Sequence, residues 1–198
     1  CKKGFEADDI IATVSCKAER KGYETVILTG DKDLMQLVDK DTSLIMPLRG
    51  ISQTIKVRPN EVKKQLGIPP NLVVDYKALI GDTSDNYPGV PGIGPKTAQK
   101  LLEEFKSFDN IYMNLDQIQD SVKEKLIQGK EAGFLSQELA KVKKDVPVKI
   151  NLKKADWNKK TINAVAGFLK ENGYPSLYKR MVKDFELKEN DDKQMSIF

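Results

Sequence analysis

At 198 residues and 39% apolar content, the chain is long enough for one α/β domain, or a domain and a half, around a real core. It carries 33 Lys+Arg against 29 Asp+Glu and no histidine, which removes His-based zinc sites, Ser-His-Asp triads and imidazole acid–base catalysis together. Cys1 and Cys16 are too few for a disulfide framework, and no apolar run approaches the ~18 residues of a membrane span, so a reduced cytoplasmic setting is expected.

Taken in chain order, Glu6 to Lys21 reads as a helix. Ala7, Ile10, Ile11, Val14 and Ala18 recur at helical spacing and Gly22 stands at the C-cap position. Thr25 to Thr29 is a β-branched apolar run that suits a strand buried on both faces of a parallel sheet. Asp31-Lys32-Asp33 opens a short helix through Val38. Ser43–Met46 and Thr54–Val57 read as strands around Arg49-Gly50. Helices are predicted over Pro59–Leu66, Asn71–Ile80, Pro95–Phe105, Ser107–Asn114, Leu115–Ile127 and Lys130–Val142. Pro147–Leu152 is extended, as a returning strand or a strap. Asn158–Glu171 and Pro175–Phe185 are two more helices, with Trp157 in the core. The charged tail from Lys188 is expected to be disordered. The domains predicted are therefore an α/β part over 1–80, a helical part over 81–187 and a tail over 188–198.

A net charge of +4 does not by itself argue for nucleic acid, so the distribution of charge has to decide. Three acidic groupings stand out: Glu6, Asp8 and Asp9 in a first helical turn, Asp31 and Asp33 after a strand, and Asp82 and Asp85 in Gly81-Asp82-Thr83-Ser84-Asp85-Asn86. Each also has a purely structural reading, as dipole complement, N-cap or turn. If they converge, like charges ~4 Å apart repel by roughly 4 kcal/mol per pair at an effective dielectric near 20. Divalent cations would then neutralise them, and an all-oxygen ligand set without His or Cys points to Mg²⁺ or Mn²⁺. Two such ions can activate a water and stabilise the leaving oxygen of a phosphodiester with no histidine base. A phosphatase-type centre at Asp31-Lys32-Asp33 is the alternative, and it leaves the next motif unexplained.

That motif is Gly89-Val90-Pro91-Gly92-Ile93-Gly94-Pro95-Lys96-Thr97-Ala98, the glycine turn of a helix-hairpin-helix. Glycine permits positive φ and close backbone approach, and Pro95 suits a first helical position. Lys96 and Lys100 are placed to meet phosphates, which fixes position without reading sequence. A structural αα-turn is the plainer reading. Lys123, Lys125, Lys141, Lys143 and Lys144 either extend a basic track or are solvated helix faces. Tyr76 and Tyr87 either stack on bases or pack internally.

Gly4-Phe5-Glu6-Ala7-Asp8-Asp9, Leu28-Thr29-Gly30-Asp31-Lys32-Asp33-Leu34 and the run from Gly81 through Ala98 together resemble the 5′-nuclease domain of bacterial DNA polymerase I. That domain is similar to flap endonucleases and phage 5′-exonucleases. The resemblance covers at least residues 4 to 145. It implies a PIN-like parallel sheet flanked by helices, followed by a helical subdomain with the helix-hairpin-helix motif. It implies 5′→3′ exonuclease or 5′-flap endonuclease activity on DNA by two divalent ions. Glu6, Asp8 and Asp9 would serve the tighter metal site, and the catalytic Asp31, Asp33, Asp82 and Asp85 would serve or surround the second. Gly89, Val90, Gly92, Ile93, Gly94, Lys96, Thr97 and Lys100 would hold duplex DNA, with K⁺ among the hairpin carbonyls. In the family a further N-terminal segment precedes Gly4. It supplies the first strand, two more aspartates and a basic arch, so such a segment is an expected partner. Without it, the chain is expected to bind duplex DNA weakly and cut little. Gln194-Met195-Ser196-Ile197-Phe198 resembles the peptide by which bacterial replication proteins dock on the sliding clamp, the second expected partner.

Overall fold

The structure, a computed structural model, describes residues 1–49, 53–152 and 157–187. The chain forms two compact units, Cys1–Val148 and Lys149–Phe198. The expected turn at Gly50 and the clamp-like peptide Gln194–Phe198 lie outside the described residues.

In the first unit, helix α1 (Ala7–Glu19) starts where the Glu6 N–H donates to the Asp9 carboxylate at 3.3 Å. Its small residues Ala12, Thr13, Ser15 and Ala18 are buried against β1 (Thr25–Leu28) and the turns that follow. A 3₁₀ turn, Asp33–Leu37, then leads to β2 (Thr42–Arg49). Strands β1 and β2 are parallel neighbours, with Thr25 opposite Thr42 and Leu28 opposite Ile45. Strand β3 (Gln53–Val57) runs antiparallel to β2, so the sheet is mixed, in the order β1-β2-β3. One expectation for β1 is overturned. Ile27 alone faces the core, while Val26 and Leu28 are 51% and 71% exposed. An uninterrupted apolar run signals burial on both faces, and here only one face of the strand meets the packed side chains.

Helix α2 (Pro59–Leu66) begins with proline at its first position and ends at Gly67, whose φ of 73° closes the last turn. The predicted helix from Asn71 divides into a 3₁₀ turn, Pro70–Leu72, and α3 (Val73–Ile80). Helix α4 spans Pro95–Phe105, as predicted. Helix α5 (Phe108–Met113) is capped by the Ser107 hydroxyl, which accepts from the Asn110 N–H at 3.1 Å. The single helix expected over 115–127 is broken. A 3₁₀ turn, Leu115–Gln117, gives way to extended backbone at Ile118 before α6 (Asp120–Gln128). The break turns Ile118 into the core, and that burial outweighs the helical propensity of the stretch. Helix α7 (Lys130–Ala140) returns across α3.

One apolar cluster runs through both halves of this unit, from Leu34, Leu44 and Val57 through Val73 and Leu79 to Leu102, Phe108 and Leu126. Residues 1–80 and 81–148 thus share a core, with α3 at its centre. The segment after α7 is a strap and forms no strand. Thr13, fully buried on α1, accepts from the Val146 N–H at 3.0 Å, and Lys17 donates to the Val148 carbonyl at 2.8 Å.

The second unit contains α8 (Lys159–Glu171) and α9 (Pro175–Asp184). Asn158 caps α8 by accepting from the Lys160 and Thr161 N–H groups. Trp157 is not core: it is 56% exposed, with its ring edge-on to Phe185 at 6.1 Å. Ala166 is the buried apolar residue of this unit among the described residues, so a hairpin this small does not enclose an indole.

Candidate metal centre and hairpin

The first acidic grouping is set by the start of α1. Glu6 is exposed and Asp8 half-buried. Asp9 uses one carboxylate oxygen on the Glu6 N–H and the other on the Lys143 N–H at 2.7 Å, so it ties α1 to the strap. The second grouping follows β1. Thr29 Oγ1 accepts from the Asp31 N–H at 3.0 Å, and the Asp31 carboxylate accepts from the Asp33 N–H at 2.8 Å. This local turn carries Asp33 off the end of the strand towards α3.

The third grouping lies in a loop closed at its neck by two glycines. Gly81 and Gly89 have φ of 74° and 62°, and their backbones touch. A Cβ on Gly89 would lie 2.2 Å from the Gly81 nitrogen. Beyond the neck, Asp82 and Tyr87 exchange backbone hydrogen bonds of 2.9 and 3.1 Å. One Asp82 oxygen accepts from the Ser84 N–H at 2.8 Å and from the Ser84 hydroxyl, which fixes the carboxylate over the loop.

Here the groupings meet. Asp33, Asp82 and Asp85 each offer a carboxylate oxygen, and those oxygens lie within 4.8 Å of one another. Glu6, Asp8, Asp9 and Asp31 stand outside that tight group, and of these Asp31 lines the same cavity. Burial pushes the Asp8 carboxyl up, and the charges of Asp31, Glu6, Asp9 and Asp85 push it further. That places Asp8 in the field of all the other groupings. A cavity of about 590 Å³ opens at the cluster, lined in part by Asp31, Asp33, Lys77, Asp82 and Asp85.

Sequence reading passed over Lys77. It lies on the buried side of α3 at 9% exposure, donates to Asp82 Oδ2 at 2.7 Å and also contacts Asp33 Oδ1. The available signal was its place four residues after Val73 and three before Ile80, on an apolar helical face. Burial works to raise the Asp82 carboxyl. Hydrogen bonds from Lys77 and Ser84 outweigh it and hold the group below the usual carboxylate range.

Tyr76 and Tyr87 pack internally, at 7% and 5% exposure. The Tyr87 hydroxyl is buried without a hydrogen-bond partner among the described residues. Its own burial, then the charges of Asp82, Asp85 and Asp31, hold it protonated well above the ordinary phenol range. The all-oxygen acidic group in whose field this hydroxyl lies is a donor set that suits a hydrated hard cation.

The hairpin follows directly. Gly89 donates its N–H to Ser136 Oγ at 2.9 Å, a partner on α7 that sequence reading also missed. Val90 and Ile93 are core residues, so they can offer a ligand only their backbone. The Lys125 stem lies across Gly92, and its ammonium reaches the Gly92 carbonyl at 3.4 Å. Around Gly94 there is open space, and Lys96 and Lys100 are exposed beside it on α4, with Thr97 half-buried. Lys141, Lys143 and Lys144 line a separate cleft with Gln36, Glu138 and Asp145.

This arrangement, an acidic centre at a strand end beside a glycine hairpin, is the fold of 5′-exonucleases and flap endonucleases. A T5 5′-exonuclease with divalent zinc ions bound superposes with a TM-score of 0.61 at 22% identity, covering 70% of this chain and 51% of that one. A bacteriophage T5 flap endonuclease in complex with DNA and metal ions gives 0.60 at 19%, covering 94% and 62%. Two family models also match: the 5′-3′ exonuclease N-terminal resolvase-like domain at residues 1–67, and the 5′-3′ exonuclease C-terminal SAM fold at residues 68–163. The chain belongs to the 5′-3′ exonuclease family. It is 41% identical over 184 residues to DNA polymerase I of Caldicellulosiruptor bescii, an alignment covering 90% of this chain and 21% of that polymerase. The chain therefore spans about a fifth of the length of this relative. No helix among the described residues is long and apolar enough to cross a membrane.

Proposed function

We propose that this chain carries a divalent-metal-dependent, structure-selective 5′-nuclease site for DNA, acting as a 5′→3′ exonuclease or 5′-flap endonuclease in cytoplasmic replication and repair. The convergence of Asp33, Asp82 and Asp85, with Asp8 in the field of Asp31 and Asp85, carries this reading. The donor set is all oxygen, which favours Mg²⁺ or Mn²⁺ over zinc. Asp33, Asp82 and Asp85 would hold one ion, with Asp31 beside them, and Glu6, Asp8 and Asp9 the other. Bound there, the ions supply Lewis-acid activation of water and charge stabilisation at the leaving oxygen.

The chain's own residues do the rest. Ser84 and the Gly81–Gly89 neck fix the Asp82 carboxylate, and Lys77 bridges Asp33 and Asp82. The hairpin backbone at Gly92–Gly94, with Lys96, Thr97 and Lys100, grips duplex phosphates without reading sequence, and K⁺ would sit among its carbonyls. Gln194–Phe198 would dock on a sliding clamp, and a segment equivalent to the family's N-terminal one would complete the site.

The test is cleavage of a labelled 5′-flap duplex in Mg²⁺ or Mn²⁺, with that segment supplied in trans. Metal-dependent cleavage is expected, falling at least about a hundredfold in Asp85→Asn while duplex binding persists. Duplex binding with no metal-dependent cleavage would make the chain a non-catalytic DNA-binding module and end the nuclease reading.

A further inference from the structure

The burial of Lys77 sets a requirement. An ammonium at 9% exposure is tolerable only when paired, and Lys77 is paired twice, to Asp82 at 2.7 Å and to Asp33. Those two carboxylates belong, with Asp85, to the group whose oxygens lie within 4.8 Å of one another. The lysine is thus seated on two of the three groups that a divalent ion would use.

A hard cation bound to those oxygens would stand against the ammonium. The repulsion between a +2 ion and a +1 group is twice that of two unit charges at the same distance, and beside a part-buried ammonium it is screened less than on an open surface. The Asp82 carboxylate is held by the Ser84 N–H, and the turn in which Asp31 accepts from the Asp33 N–H fixes the Asp33 backbone. Lys77 has a flexible four-carbon stem and lines a cavity of about 590 Å³. The mobile partner is the lysine.

We infer that Lys77 is a built-in counter-cation of this acidic centre, which holds Asp33 and Asp82 together in the metal-free protein and must be displaced by the divalent ion. Binding at this site is then cation exchange. The inference rests on the metal-site reading above and adds a residue that competes with the ion.

The measurement is Mn²⁺ affinity by calorimetry for the wild-type chain, Lys77→Met and Lys77→Arg. Losing a competitor held by charge-assisted hydrogen bonds should tighten Mn²⁺ binding to Lys77→Met by about tenfold or more, while Lys77→Arg stays near wild type. Without metal, Lys77→Met should melt below wild type and recover when Mn²⁺ is added. A wild-type measurement guards against a variant that does not fold. Amine acetylation read by mass spectrometry should find Lys77 protected without metal and reactive at saturating Mn²⁺. Mn²⁺ binding to Lys77→Met that is no tighter than wild type, or a Lys77 still protected at saturation, overturns the exchange and leaves the nuclease reading standing. If wild type and variant alike bind no Mn²⁺, the exchange and the metal site fall together.

Discussion

Replacing Gly89 by alanine adds one methyl group at the neck of the acidic loop, and the structure sets its cost by comparison with Gly22. Both glycines have positive φ, 62° and 78°. A Cβ at Gly22 meets nothing within 4 Å, so Gly22→Ala carries only the left-handed strain of an L-residue, about 1–2 kcal/mol. A Cβ at Gly89 would lie 2.2 Å from the Gly81 nitrogen, 2.6 Å from the Ile80 carbonyl carbon and 2.8 Å from the Gly81 Cα. These are backbone atoms, and no rotamer relieves the overlap. Overpacking of that kind adds about 1–3 kcal/mol, so Gly89→Ala should lose about 2–5 kcal/mol in total. Against a typical stability of ~5–15 kcal/mol this is a large fraction. The assay is urea denaturation followed by circular dichroism on both variants. Because the neck sets where Asp82 and Asp85 stand, Gly89→Ala should also weaken Mn²⁺ binding, and Gly22→Ala should not. Losses that agree within about 0.5 kcal/mol would refute the claim that backbone contact at the neck holds the loop.

Three further outcomes are expected. Lys96→Ala should weaken duplex binding about equally for all sequences and lower the slope of log K against log salt by about 1, read by fluorescence anisotropy across a KCl series. Thr13→Val should orphan the buried Val146 N–H, cost about 1–3 kcal/mol and speed hydrogen exchange at that amide. Burial, against hydrogen bonds from Gln137 and the Phe108 backbone, raises the Asp75 carboxyl. With an acid pKa raised in the folded state, the ionised group destabilises above that pKa, and the penalty fades as pH falls to the unfolded value of 3.8. Asp75→Asn should therefore gain stability at pH 7 and match wild type below about pH 3.8. A variant less stable than wild type at neutral pH would sink that reasoning.

Much of the site was legible because its parts are local. Pro95 with Gly94 before it starts α4 wherever the rest of the chain goes, and α4 runs from Pro95 to Phe105 as predicted. The Asp31 turn and the Asp82–Ser84 turn form within two residues of themselves, and their hydrogen bonds depend on little else. Where local signals misled, a distant contact had decided. Ile118 breaks a helix because the core takes it in. Val26 and Leu28 stand exposed because only one face of β1 meets packed side chains, and Trp157 lies in a hairpin too small to enclose it.

The order and chemistry of the acids, the glycine turn and the absence of histidine are properties of the chain itself, and they sufficed for the family. Convergence is different in kind. That Asp33 reaches Asp82 and Asp85 across 49 and 52 positions, and that Lys77 lies between them, follows from α3 packing at the centre of one shared core. Carboxylates repel, so no short-range preference gathers them. Burial of the surrounding apolar side chains supplies the free energy that holds them together.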